Sequence, residues 1–85
     1  MSKLILAADR IKKARVLIQN ARDLPVPPDL GRFDLTYRTK VKGLLQQARD
    51  LVKFIPYTPT ATPEMKQEVA QIFQEAEQAH KDLLR

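Results

Sequence analysis

All six prolines of this chain fall in two short windows, and that punctuation limits what the chain can fold into. Pro25, Pro27 and Pro28 break it once; Pro56, Pro59 and Pro63 break it again. Proline lacks the backbone N–H and clashes with the preceding turn, so neither window can be helix interior. Three stretches remain. Each carries apolar residues at steps of three and four, the period of one helical face.

The central stretch, Thr36 to Ile55, organises the rest. Tyr37, Val41, Leu44, Ala48, Leu51 and Ile55 define its face. Leu45 and Val52 widen that face enough for two neighbouring helices. In the first stretch Leu4, Ala7, Ile11, Ala14, Ile18 and Ala21 keep the same step, with Ser2 as N-cap. The third stretch opens on Thr62-Pro63-Glu64: threonine as N-cap, proline at the first helical position, an acid in the first turn. Its stripe is Met65, Val69, Ile72, Ala76, Ala79 and Leu83, flanked by Phe73, His80 and Leu84. The pattern predicts an all-α fold in one domain over 1–85, with helices at about 3–23, 35–55 and 63–84. The expected arrangement is an up-down-up three-helix bundle with long Pro-rich connectors; exchange of helices between two chains is the alternative.

The first connector, Leu24 to Phe33, is longer than the usual helix hairpin linker of about 2–8 residues. Its apolar Val26, Leu30 and Phe33 are expected to pack over the bundle end. Asp34 is the expected N-cap of the second helix, with Asp29 competing for that role. In the second connector, Tyr57 is the expected anchor.

At 85 residues the chain buries roughly 60–65% of its unfolded surface, so its stability margin is thin. It has no cysteine, which excludes disulfides and thiolate metal sites and points to an intracellular, cytoplasmic protein. No apolar run approaches the roughly 18 residues of a membrane span, and the early LILAA is too short for a signal-peptide core. The net charge of +5 is uneven. Residues 1–55 hold twelve Lys/Arg against five Asp/Glu, and residues 56–85 hold three against five.

That asymmetry has a geometric consequence. Glu64, Glu68, Glu75 and Asp82 share one flank of the third helix, and Lys12, Arg15 and Arg22 share one flank of the first. The two flanks can meet only if the helices run clockwise in the order one, two, three, viewed along the first from its N-terminus. Surface pairs contribute about 0–1 kcal/mol each, so they bias the hand without forcing it. In this arrangement Arg38, Lys42, Arg49 and Lys53 of the second helix keep a surplus positive edge beside the third helix, near Lys66 and His80.

Catalysis finds little to use. A nucleophile needs a base in reach, and the one histidine, His80, flanks a core stripe. No phosphate-binding glycine motif is present, and the histidine, cysteine and acid content does not suit a metal. The expectation is a non-enzymatic chain with no catalytic residue, cofactor, metal or small-molecule substrate. It would serve as a protein-interaction or structural module, with self-association as one form of that role. The candidate protein interface is Val16, Gly43 and Phe54, which face away from the stripes, unless the helix end turns Phe54 inward. The alternative is nucleic-acid binding through Arg38, Lys42, Arg49 and Lys53, which span about 22 Å along one helix. Against it, no short helix-turn-helix connector is present and the aromatics form no obvious stacking platform. Membrane-surface binding by the basic first helix is a weaker third reading.

Overall fold

The computed structural model describes residues 6–84. It is all-helical, with no strand among the described residues. Three long helices, α1 (Ala7–Asp23), α2 (Leu35–Val52) and α3 (Pro63–Leu84), each pack against the other two. Short 3-10 turns at Gly31–Phe33 and Ile55–Tyr57 lie in the connectors.

Helix ends follow local chemistry. The side chain of Asp34 accepts a hydrogen bond from the Tyr37 amide at 2.9 Å, so Asp34 rather than Asp29 caps α2. Thr62 Oγ1 accepts from the Met65 amide at 3.1 Å and starts α3 where the Thr-Pro-Glu signal places it. Leu24 is extended (φ −60°, ψ 131°) because Pro25 follows, and α1 stops there. The predicted start of the first helix at residue 3, its Ser2 cap and Leu4 lie outside the described residues. Gly31 takes φ +57°, a left-handed conformation that side chains disfavour, and its amide closes a turn onto the Pro27 carbonyl at 3.1 Å.

The second helix ends at Val52, three residues short of the expected Ile55. Pro56 cannot continue the helical ladder, and the chain tightens into i→i+3 bonds from Tyr57 to Phe54 and from Thr58 to Ile55.

The core interleaves three stripes: Ile11, Ala14, Ile18 and Ala21; Tyr37, Val41, Leu45, Ala48 and Val52; Val69, Ile72, Ala76 and Ala79. Alanines at Ala14, Ala21, Ala48, Ala76 and Ala79 are fully buried and allow close approach of the helices. Leu45, not Leu44, sits at the centre of the α2 stripe, and Leu44 is only partly buried. The reason is that α2 faces two partners, so the middle of its broad stripe is most enclosed. Leu84 likewise replaces Leu83 as the buried residue at the end of α3.

Both connectors depart from expectation. Val26, Leu30 and Phe33 are exposed, Phe33 by 76%, and do not cover the core. That end is closed instead by Tyr37 and Leu84, both buried. The connector is held by polar contacts: Arg38 donates to the carbonyl of Arg32 at 3.1 Å and to that of Leu84 at 3.3 Å. At the other end Tyr57 is 84% exposed and anchors nothing, whereas Ile55 is buried and plugs the core.

The result is elongated. The radius of gyration is 14.5 Å, against about 12 Å for a compact chain of this length. A thin core leaves many apolar side chains at the surface.

Candidate functional site

Two seams run along α3, and their chemistry differs. On the α1 side, Arg15 donates to both carboxylate oxygens of Glu75 at 3.1 and 2.9 Å, and Arg22 reaches Asp82 at 3.2 Å. A step of seven along α1 thus matches a step of seven along α3. These are the basic and acidic flanks that the sequence predicts to meet. Lys12, counted with that flank, instead lines a shallow groove with Lys13, Val16, Leu17 and Leu51.

On the α2 side lies an open groove of about 530 Å³ lined by Thr39, Lys42, Gly43, Gln46, Arg49 and His80. It holds two cations, Lys42 and Arg49, beside the hydrogen-bonding side chains of Thr39, Gln46 and His80. No carboxylate lines it among the described residues. A methyl group built onto Gly43 would meet nothing within 4 Å, so the α2 backbone is open to approach there.

The predicted basic stripe is therefore split. Arg38 is engaged at the ends of α3 and the first connector, where it complements the negative C-terminal dipole. Lys53 pairs with Asp50 at 3.2 Å and lies 5.1 Å over the Phe54 ring. The Gln46 amide and Lys53 together hold the Asp50 carboxyl below its usual range. Lys42 and Arg49 remain: among the described residues neither makes an ion pair or side-chain hydrogen bond. Lys66, expected beside the groove, does not line it, while His80 does.

The predicted protein interface is split too. Val16 (57% exposed) and Phe54 (68% exposed) fall on the α1–α2 side, where Leu51 joins them. Leu51 lines a groove with Val16 and Leu17, another with Leu6 and Phe54, and a third with Arg10 and Gln47. The first two join through Leu51 into one apolar band, and the third adds the polar Arg10, Gln47 and Asp50 beside it. Gly43 belongs to the opposite, cationic groove. Leu17 and Leu51 read as part of a core face by helical periodicity until the neighbouring helix is placed, and Leu6 is not singled out by it at all.

Arg10 spans the same band and donates to the Leu51 carbonyl at 3.4 Å, near the end of α2. Among the described residues no three His, Cys, Asp or Glu side chains cluster as a metal site would require, and no helix is long and apolar enough to cross a membrane. No protein-family model, curated protein or solved structure matches this chain.

Proposed function

We propose that this chain is a non-enzymatic interaction module, an up-down-up three-helix bundle that docks a partner protein on its α1–α2 face. The up-down-up order is supported by the pairings of Arg15 with Glu75, Arg22 with Asp82 and Arg38 with the Leu84 carbonyl. The same pairs favour the clockwise hand, with α3 on the higher-azimuth flank of α1.

The single observation that carries the docking reading is the continuity of Val16, Leu17, Leu51, Phe54 and Leu6 across one face. Exposed apolar side chains that scatter singly need no explanation, but a joined band rimmed by charge fits an interface. From Leu6 to Val16 the band runs about 15 Å along α1, three turns of a docked helix. Its rim is Arg10, Lys12 and Lys13, with Asp50 beside Leu51 and paired to Lys53. The occupant that fits is an amphipathic helix of a partner protein, with apolar anchors at i, i+3 or i+4 and i+7 and acidic edges.

The test is a titration with a labelled helical peptide carrying a leucine stripe edged by glutamates, beside the same peptide edged by lysines. The glutamate peptide should bind, and the lysine peptide should bind at least about tenfold more weakly, a difference of about 1.4 kcal/mol. Val16→Asp and Phe54→Asp should each abolish the preference. Equal binding of the two peptides, or binding unchanged in Val16→Asp, contradicts the reading. Light scattering supplies a second contradiction: a stable dimer that both aspartate variants dissolve assigns the face to a second copy of this chain.

A further inference from the structure

We infer that the α2–α3 groove seats a single strand of nucleic acid, with Lys42 and Arg49 on two backbone phosphates and His80 and Phe73 as stacking faces. The proposal stands apart from the docking face, which lies on the other side of α2.

Three observations converge. Of the predicted stripe Arg38, Lys42, Arg49 and Lys53, Lys42 and Arg49 have no ion pair or side-chain hydrogen bond among the described residues, and both line the same groove. They are two helical turns apart on one azimuth, about 10.5 Å along the axis. Glu75 and Asp82 pair toward α1, Glu77 pairs along α3 with Lys81 at 3.3 Å, and none of the three lines the groove. The lining therefore carries two cations and no carboxylate among the described residues, which favours an anion.

The facing helix supplies aromatic surface at the same interval. Phe73 and His80 are seven residues apart on one flank of α3. Counting antiparallel from Arg38 against Leu84, His80 falls level with Lys42, and Phe73 falls level with Arg49. Phe73 is 36% exposed and His80 is half-buried. The Lys42 level thus places a cation and the His80 ring in the groove, and Phe73, outside the lining residues, continues the same flank of α3 at the level of Arg49. A single-strand site needs that combination: phosphates tracked by charge, bases stacked without regard to their identity. The open approach at Gly43 leaves room for the backbone to lie close to α2. A ring beside a cation favours unpaired bases, so the unpaired strand is the form that fits.

The experiment is fluorescence anisotropy of the full chain with a short labelled oligothymidylate across a salt series. Two phosphate contacts predict a slope of log K against log salt near −1.4, from about −0.7 per phosphate on single strands. Lys42→Gln and Arg49→Gln should each weaken binding by about tenfold at low salt. Phe73→Ala and His80→Ala should weaken it severalfold, with circular dichroism confirming the fold, while Val16→Asp leaves it unchanged. Three results overturn the proposal. One is no binding at low salt. Another is a slope near −2.8 with an equal loss in Lys53→Gln, which returns the contact to the whole edge of α2. The third is inorganic polyphosphate competing as well as the oligonucleotide while both aromatic variants bind normally, which leaves a bare anion site.

Discussion

The two seams of α3 are built from similar helices and end in opposite electrostatic states. Toward α1, guanidinium and carboxylate meet at Arg15–Glu75 and Arg22–Asp82. Toward α2, Lys42 and Arg49 face His80, Thr39 and Gln46, with no acid among the lining residues. The difference comes from one sequence choice. Glu75 and Asp82 lie seven residues apart, on one azimuth of α3, so one rotation of that helix commits both to the same neighbour. Neither acid is then left for Lys42 and Arg49 on the α2 side. The lesson is that pairing on one face of a small bundle defines the potential of the next.

The largest expected effect leaves this contrast untouched. Leu45 is fully buried beneath both seams, so Leu45→Ala should destabilise the fold by about 2–5 kcal/mol in urea denaturation. Peptide and nucleotide binding should fall together, in proportion to the fraction that stays folded. Loss of one without the other would mean that the two faces do not share a core. Asp34→Ala removes the N-cap of α2 and should cost about 0.5–2 kcal/mol. Because that end of α2 carries Arg38, the change should also loosen the clamp on the Leu84 carbonyl, visible as faster amide exchange at the end of α3.

Gly43→Ala sharpens the contrast in the opposite direction. Nothing lies within 4 Å of the added methyl, and Gly43 is inside a helix. The substitution should therefore raise stability by about 0.5–1 kcal/mol. If the cationic groove admits a strand against the α2 backbone, the same methyl should weaken nucleotide binding while leaving the α1–α2 face unaffected. The smallest effects separate the seams themselves. Arg15 and Glu75 are each more than a third exposed, so a double-mutant cycle should give a coupling of only about 0.2–1 kcal/mol, falling with salt. Lys42→Gln should change stability by less than about 0.5 kcal/mol, since no partner among the described residues loses a contact. A larger loss at Lys42 than at Arg15 would erase the distinction between a paired and an unpaired seam.

Much of the fold was legible because the signals are local. Thr62-Pro63-Glu64 fixed the start of α3, and Asp34 capped α2 as expected. The meeting of Arg15 with Glu75 was also readable, because both azimuths follow from the 3.6-residue period. Less was legible where backbone atoms are the partners. Arg38 and Arg10 look like surface cations in the sequence, yet they donate to the carbonyls of Leu84 and Leu51. Helix ends offer acceptors that no side-chain pattern records. The same blindness misplaced Val26, Leu30 and Phe33, since polar tethering held the connector without their burial. Candidate sites suffered in another way. Val16 and Gly43 point outward on their own helices and Phe54 lies just past the end of α2, but only the packed arrangement shows Val16 and Phe54 joined through Leu51, and Gly43 on the far side.

The most direct test of the account is a charge swap read by thermal melting. Glu75→Arg sets an arginine against Arg15 and should lower the melting temperature. Adding Arg15→Glu should restore most of the loss, and adding Arg49→Glu in its place should restore none. Rescue by Arg49→Glu instead would put the acidic flank of α3 against α2, reverse the hand of the bundle and remove the cationic groove.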